Sequence, residues 1–315
     1  MTVHLKQDEP DTSNRLDGMK QGVIGQPISR VEGLAKVTGT APYAAEYPIE
    51  GCVEGVLATA TITRGEILKI DKDSVLGMPG VIAVIDDPRL TTRAAQGTAN
   101  EAPQQSPRTV CYWGQPIALV VAETFEQARD AAKHLAVEYR PDDDAPLSPD
   151  AVQPEEQEDE TVRQGDLVHA MSEAAHSVDV TFTTKGHASA AMEPHAAIAQ
   201  WDGDQLTVHA SLQMLNYNIS ELADAIDLPE EKVRLVSRFV GGGFGSKLGV
   251  SEETVAAAIA AMQLERPVRV VMSRQQVFQC IMRRSETTQR LRLAADQKGR
   301  LTGFGHDALV SNLPG

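Results

Sequence analysis

The sequence is poor in cysteine and has no closely spaced cysteine pair. Its three cysteines, Cys52, Cys111 and Cys280, are far apart, and none belongs to a CxxC pattern. Zinc sites and iron–sulfur centres need clustered cysteine ligands. We therefore expect neither kind of centre in this chain, and we interpret the cysteines as buried or half-buried thiols.

Basic residues and long apolar runs are also scarce. The chain has 29 Lys and Arg against 44 Asp and Glu, which gives a formal net charge of −15. Nucleic acids and anionic membrane surfaces attract proteins mainly through Lys and Arg, so this balance argues against both as partners. No apolar run approaches a membrane span, and the polar residues 1–21 lack the apolar core of a signal peptide.

The composition that remains is typical of a globular protein with about two domains. The chain has 315 residues, of which 42% are hydrophobic and 23% are charged. The predicted segments are a flexible arm (1–22), a first α+β domain (23–141), an acidic linker (142–165) and a second domain (166–315). The linker contains three consecutive aspartates and an acidic run at 155–160, whose charges repel one another and favour an extended, solvated segment.

Local patterns predict the elements of both domains. Thr124 and Gln127 form a capping-box pattern ahead of a helical apolar stripe, and Asp202-Gly203 is typical of a hairpin turn. Ser251 is a suitable N-cap for a helix over 252–264. The other predicted elements are strands within 51–70 and at 81–85, 117–122, 137–139, 233–236 and 268–272, a surface loop at 89–109, a helix at 218–227, and hairpins at 199–208 and 288–310.

A glycine-rich loop, Val240–Lys247, lies between a predicted strand and the helix at 252–264. Glycines let a backbone approach a ligand and turn N–H groups towards anions. The P-loop pattern fails because Ser246 and Leu248 stand where glycine and Ser/Thr are required, and the dinucleotide fingerprint GxGxxG fails at Ser246. These failures argue against a nucleotide-dependent enzyme, and they leave open whether the loop is a tight connector or a ligand contact.

Four sequence blocks together resemble the xanthine dehydrogenase and aldehyde oxidase family of molybdenum hydroxylases. The glycine loop, GGGFGSK, is similar to the family's GGGFGGK, with Ser246 in place of a glycine. The other three blocks run from Gly25 to Tyr43, from Gly114 to Ala122, and from Met192 to His195. The resemblance covers residues 23–315, and the nearest branch is that of the bacterial three-subunit aldehyde oxidoreductases.

This resemblance implies an α/β-hammerhead domain followed by the beginning of a molybdopterin-binding domain. It implies molybdopterin cytosine dinucleotide as cofactor, with iron–sulfur and FAD centres on partner subunits. The implied reaction hydroxylates an aldehyde or an N-heterocycle with water as the oxygen source. The implied location is the cytoplasm, with co-export to the periplasm by a partner subunit as the alternative.

The resemblance also assigns roles to individual residues. It gives Gln213 a hydrogen bond to the apical oxo ligand of molybdenum, which suits an amide NH2 group. It places Gly242, Gly243, Phe244 and Gly245 beside the metal, with Phe244 either lining the substrate pocket or packing in the core. We expect Glu193 and His195 to be structural rather than catalytic, and Lys247, Arg284 and Ser246 to be candidate contacts for cofactor phosphates.

The sequence departs from the family at several points. His187 and Ser189 stand where the family commonly has Gln-x-His, and Leu248 stands where purine-oxidising relatives have a glutamate, which favours aldehydes. The chain ends inside the first cofactor-binding domain, so we assign no catalytic base and no metal ligand, and we expect no activity from the chain alone. Either a second chain supplies the rest, or the chain is a non-catalytic remnant.

Overall fold

The computed structural model describes residues 22, 25–90, 106–146, 148, 151–156 and 161–311. Most of the predicted arm (1–22), the part of the predicted loop at 91–105 and the acidic run at 157–160 lie outside the described residues. The chain divides into two compact units, Met1–Ala41 and Pro42–Gly315. In the first unit a short helix, α1 (Gly33–Val37), ends at Thr38, whose hydroxyl donates to the carbonyl of Leu34 at 2.8 Å.

The second unit mixes strands and helices. In chain order, the strands of the described residues are β1 (Val53–Thr59), β2 (Gly65–Asp71), β3 (Val81–Ile85), β4 (Thr109–Val110), β5 (Pro116–Ala122), β6 (Ala136–Pro141), β7 (His176–Thr184), β8 (His187–Ala188), β9 (Ala196–Trp201), β10 (Leu206–Ala210), β11 (Val233–Val236), β12 (Val268–Val271), β13 (Arg283–Arg284), β14 (Thr287–Ala295) and β15 (Leu301–Val310). The remaining helices there are α2 (Asp73–Leu76), α3 (Phe125–His134), α4 (Leu167–Ser172), α5 (Leu215–Ile226), α6 (Glu252–Leu264) and α7 (Arg274–Cys280).

A seven-stranded mixed sheet joins the two halves of the sequence. Its strand order is β11-β10-β9-β12-β1-β5-β3. Strands β1 and β12 pair in parallel, with Val53 opposite Val268 and Gly55 opposite Val270. Strands from both sides of the linker belong to this one sheet, so the sheet does not divide the chain at 141 or at 166. The predicted domain limits at these positions stay a prediction.

Strand β5 is apolar at nearly every position because helices pack on both faces of the sheet there. All seven residues of β5 are buried. Leu119 and Val121 belong to the core cluster that includes α6, whereas Ala118 and Val120 belong to a cluster with Ala131 of α3. Neighbouring side chains of a strand point to opposite faces, so a strand covered on both faces needs apolar residues at every position.

Most of the predicted elements are confirmed with small shifts at their ends. Helix α3 has the predicted capping box, in which the Thr124 hydroxyl accepts from the Gln127 amide. The Asp202-Gly203 turn joins β9 and β10, which pair antiparallel. Ser251 is at the N-cap of α6 but makes no side-chain capping hydrogen bond, and α5 begins at Leu215, three residues before the predicted start.

Three smaller sheets complete the unit: β4-β2-β6, β13-β8 and β15-β14-β7. No helix in the described part of the chain has the length and apolar character needed to cross a bilayer. None of the three cysteines forms a disulfide; Cys52 and Cys111 are partly buried and Cys280 is buried, as predicted.

Candidate functional site

The glycine loop connects β11 to α6, and its backbone has an unusual conformation. Gly242, Phe244 and Gly245 have φ angles of 103°, 51° and 94°. Positive φ is ordinary for glycine but costs free energy at a phenylalanine. A strained residue at the tip of a loop is a common mark of a functional backbone conformation, and here it is Phe244.

Two glycines of the loop are required by close contacts rather than by backbone angles. A Cβ atom at Gly241 would lie 2.4 Å from Cβ of Glu193, and one at Gly243 would lie 2.2 Å from Oε1 of Gln213. Real Cβ contacts are essentially never that short, so any side chain at either position would displace its neighbour. The loop therefore packs directly against Glu193 and Gln213.

Gln213 faces the loop with its amide oxygen. Its Oε1 accepts from the backbone N–H groups of Gly245 at 3.2 Å and Lys247 at 3.3 Å, and its own N–H donates to the carbonyl of Lys247 at 2.8 Å. Both neighbours of the side chain are donors, which fixes the orientation of the amide. Its NH2 group makes no hydrogen bond within the described residues.

The tip of the loop presents further free donors. The N–H groups of Gly242, Gly243 and Phe244 make no hydrogen bond within the described ranges, although the N–H groups of Gly241 and Gly245 on either side do. Consecutive free N–H groups in a turn that mixes right-handed and left-handed conformations form a concave site for anionic or partly negative oxygens. Together with the NH2 group of Gln213, they are suited to a ligand that accepts hydrogen bonds.

A charged pair lies buried behind the loop. The ammonium group of Lys247 is 3.0 Å from Oε2 of Glu193, and the Lys247 side chain has 0% of its surface exposed. Burial lowers the pKa of Lys247, and the Glu193 carboxylate opposes that shift. The prediction that Lys247 contacts cofactor phosphates is wrong, because this side chain points inward and its charge is already neutralised.

Ser246 is also turned inward. It is buried, and its hydroxyl donates to the carbonyl of Gly243 at 2.9 Å, so the prediction of a phosphate contact from Ser246 is wrong as well. Its own carbonyl lies 3.0 Å from Nε2 of His195, which is buried. The structural roles predicted for Glu193 and His195 match this placement.

Phe244 and Arg284 lie on the outside of the loop. The Phe244 side chain is 70% exposed, so the alternative in which it packs in the core is wrong. Its carbonyl accepts from the Ser189 hydroxyl at 3.3 Å. Arg284 lies exposed in β13, and its Nη2 would be 3.5 Å from a Cβ atom at Gly245. A contact between Arg284 and a cofactor phosphate stays a prediction.

Sequence reasoning missed the contribution of Ser211. Its hydroxyl donates to Oε2 of Glu193 at 2.5 Å and accepts from Nζ of Lys247 at 2.7 Å. No motif marks this serine, because its partners lie elsewhere in the chain. Among the described residues no group of three His, Cys, Asp or Glu side chains is placed to hold a metal ion.

Models of two known domain families match the sequence of this chain. A model of the molybdopterin cofactor-binding domain matches residues 151–312, just over half of the sequence. The chain belongs to this molybdopterin cofactor-binding family. A model of the a/b hammerhead domain of aldehyde oxidase and xanthine dehydrogenase matches residues 38–143. Both the predicted family and the predicted α+β fold are confirmed.

Two curated relatives illustrate the similarity. The chain is 38% identical to the aldehyde oxidoreductase molybdenum-binding subunit PaoC of Escherichia coli strain K12, over 99% of this chain and 43% of that protein. It is 29% identical to the 6-hydroxypseudooxynicotine dehydrogenase complex subunit gamma of Paenarthrobacter nicotinovorans, over 91% of this chain and 39% of that protein. The chain thus spans about two-fifths of the length of these relatives.

Solved structures share the fold. The chain superposes on the aldehyde oxidoreductase of Desulfovibrio gigas with a TM-score of 0.75 at 25% identity, covering 89% of this chain and 34% of that one. It superposes on quinoline 2-oxidoreductase of Pseudomonas putida 86 with a TM-score of 0.77 at 24% identity, covering 89% and 38% respectively.

Proposed function

We propose that the glycine loop and Gln213 bind a molybdopterin cofactor, and that the chain is the molybdenum-binding part of an oxidoreductase. The reaction proposed is hydroxylation of an aldehyde or an N-heterocycle with water as the oxygen source. The observation that carries this proposal is the cluster of unused donors, namely the backbone N–H groups of residues 242–244 and the NH2 group of Gln213.

The residues present fit such a cofactor. Its oxo group and its phosphates accept hydrogen bonds and cannot donate them, which matches a site made of donors. The missing Cβ atoms at Gly241 and Gly243 allow the loop to form this donor surface without a side chain in the way. When bound, the cofactor supplies the redox chemistry, and in this proposal Gln213 and the loop hold it in position while the exposed ring of Phe244 shields it from water.

The substrate class proposed is aldehydes in preference to purines. Leu248 provides no carboxylate beside the loop, and its carbonyl is already occupied by Nδ2 of Asn218 at 2.7 Å. An apolar side chain there cannot donate or accept the hydrogen bonds that a purine ring offers along its edges. PaoC is named an aldehyde oxidoreductase subunit, which supports the same assignment.

The partners proposed are an iron–sulfur subunit and a FAD subunit. The printed names of the relatives refer to subunits and complexes, which supports such an assembly. We propose molybdopterin cytosine dinucleotide as the form of the cofactor and the cytoplasm as the site of function.

The experiment that tests the proposal measures cofactor retention. The chain is produced in a host that makes molybdopterin cytosine dinucleotide, alone and together with the C-terminal remainder of PaoC, and molybdenum and released cytosine nucleotide are quantified per chain after gel filtration. We expect molybdenum in the wild-type complex and a loss of about tenfold or more in Gln213→Ala and in Gly243→Ala, which pushes Gln213 aside.

Matched controls separate this effect from general damage. Gln205→Ala changes a glutamine in the exposed turn between β9 and β10, and Gly77→Ala adds a Cβ atom with no other atom within 4 Å. Both should retain wild-type amounts of molybdenum. Equal molybdenum in all five proteins, or none in the wild type with the PaoC remainder present, would contradict cofactor binding at this loop and favour the non-catalytic remnant.

A further inference from the structure

The two ends of the glycine loop converge on a single carboxylate oxygen. Oε2 of Glu193 accepts from the backbone N–H of Gly241 at 2.7 Å, at the beginning of the loop. The same oxygen accepts from Nζ of Lys247 at 3.0 Å, at the end of the loop. Glu193 thereby holds together Gly241 and Lys247, the two ends of the loop, and we call this junction the neck of the loop. The other oxygen of Glu193 accepts from the N–H of Ala44 at 3.4 Å.

Lys247 uses its whole hydrogen-bonding capacity inside the protein. An ammonium group has three N–H donors. Nζ donates to the carbonyl of Glu193 at 3.1 Å, to Oε2 of Glu193 at 3.0 Å and to the hydroxyl of Ser211 at 2.7 Å. No donor is left for a ligand, and because the side chain is fully buried it cannot touch a substrate. Any effect of Lys247 on the site must pass through other residues.

The backbone of Lys247 connects this buried cluster to Gln213. The carbonyl of Lys247 accepts from the N–H of Gln213 at 2.8 Å, and the N–H of Lys247 donates to Oε1 of Gln213 at 3.3 Å. One residue is thus anchored at its ammonium group by Glu193 and Ser211 while its peptide groups orient Gln213. Lys247 therefore connects the buried ion pair directly to the residue that carries the free NH2 group.

We infer that Glu193, Lys247 and Ser211 are positioning residues, which close the neck of the glycine loop and so aim its free N–H groups and the NH2 group of Gln213 at the cofactor. This inference rests on the proposed function for its purpose, but the positioning itself does not require the cofactor. It assigns the shape of the donor surface to an internal ion pair rather than to the glycines alone.

The energetics argue for positioning over simple stabilisation. A buried ion pair must offset the desolvation of both charges, and apolar residues of similar volume often give equal or greater stability. The core cluster that contains α6 is built mainly from Ala, Val, Leu and Ile, although α6 itself also buries Glu253 and Thr254. A buried pair at the neck of this loop therefore contributes a defined geometry, with directed hydrogen bonds that aliphatic side chains cannot supply.

The test is amide hydrogen exchange of the full chain without cofactor, followed by mass spectrometry. Ser211→Ala removes one hydroxyl from the cluster. Ser237→Ala is its matched control, since Ser237 is a partly buried serine whose side-chain hydrogen bonds among the described residues go only to the backbone of Leu212. We expect exchange of loop peptides over 238–250 to accelerate by about tenfold in Ser211→Ala, on the scale of one lost buried hydrogen bond. Peptides from β14 and β15 should not change, and Ser237→Ala should match the wild type.

Lys247→Met and the molybdenum measurement complete the design. Lys247→Met should accelerate loop exchange further, and if it fails to fold, Ser211→Ala alone decides. Unchanged loop exchange in Ser211→Ala would overturn the positioning inference whatever the molybdenum content. Lost molybdenum in Ser211→Ala with accelerated loop exchange supports the inference, whereas a wild type that exchanges as expected but retains no molybdenum refutes the proposed function alone.

Discussion

His209, on β10, packs its imidazole ring against a neighbouring aromatic ring, and one nitrogen of the imidazole makes no hydrogen bond within the described residues. It stacks against Tyr47, with ring centroids 4.1 Å apart and planes tilted by 39°. Its Nδ1 is buried without a hydrogen-bond partner within the described residues. Burial, and then the charge of Arg234, lower the pKa of His209 below its ordinary value of 6.5.

This lowered pKa predicts a loss of stability in acid. Below about pH 6.5 the unfolded chain binds a proton at this position more readily than the folded chain, so the free energy of unfolding falls as the pH falls. His209→Phe keeps the stacked ring and removes the titration. Urea unfolding at pH 7.5 and pH 5.5, values that bracket about 6.5, should show a smaller loss for His209→Phe than for the wild type. The exposed His134 gives a control, and an equal loss in His209→Phe and His134→Gln would contradict the assignment.

Some of the site could be predicted at the scale of residues, and some could not. The glycine pattern marks the loop, and the resemblance marks Gln213. The direction of the Lys247 side chain could not be predicted, because a lysine beside a glycine loop is equally compatible with a phosphate contact and with a buried ion pair. The choice depends on Glu193 and Ser211, which lie 54 and 36 residues away in the sequence.

Strand β12 ties the hammerhead strands to the rest of the central sheet. Glu54 on β1 and Arg269 on β12 form an ion pair at 2.8 Å although they are 215 residues apart in the sequence. Gly55 lies in close contact with β12 and β5, since a Cβ atom there would be 2.9 Å from Cγ2 of Val270 and 3.1 Å from Cδ1 of Leu119. The two halves of the sequence should therefore unfold together.

Gly55→Val tests this coupling. The added side chain overpacks the junction and should destabilise the chain by about 1–3 kcal/mol. The protein has two tryptophans, Trp113 and Trp201, one in each half of the sequence, so single-tryptophan variants report the halves separately. We expect both urea transitions to shift equally in Gly55→Val and neither to shift in Gly77→Ala. A shift at Trp113 alone would show two independent domains.

At the scale of elements, features encoded by neighbouring residues are predicted well, whereas features that depend on residues far apart in the sequence are missed. The capping box of α3 and the turn between β9 and β10 are encoded by neighbouring residues, and both are predicted well. The early start of α5 at Leu215 is missed because Met214, at its N-cap, makes no side-chain capping hydrogen bond. The pairing of β1 with β12 is missed because no local pattern specifies a strand partner so distant in the sequence.

At the scale of the whole molecule, the sheet β15-β14-β7 has one polar face and one bare apolar face. The polar face carries the ion pairs Arg290–Asp179 and Arg292–Asp307. On the other face, the strand register brings Val178, Leu293 and Phe304 into line. Five large apolar side chains of this face are well exposed: Val178 (46%), Val180 (37%), Phe182 (56%), Phe304 (65%) and Val310 (48%).

Such a face predicts association of the isolated chain, because contiguous exposed apolar surface of this kind is usually covered by a partner. Sedimentation velocity should show larger species as the concentration rises. Phe182→Gln combined with Phe304→Gln should suppress them, whereas Thr181→Gln, on the polar face, should not. A wild-type chain that stays monomeric at high concentration would contradict the prediction.

The strand order of the central sheet also determines when the sheet can be completed during synthesis of the chain. Strand β12 lies between β9 and β1, yet it is the last of the seven strands to leave the ribosome. Until it arrives, the nascent chain can form only two half-sheets, each with an open edge where β12 will pair, and open edges invite association with other chains. Closing the sheet late, through contacts far apart in the sequence, should make folding slow, so the growing chain depends on protection of those edges during synthesis.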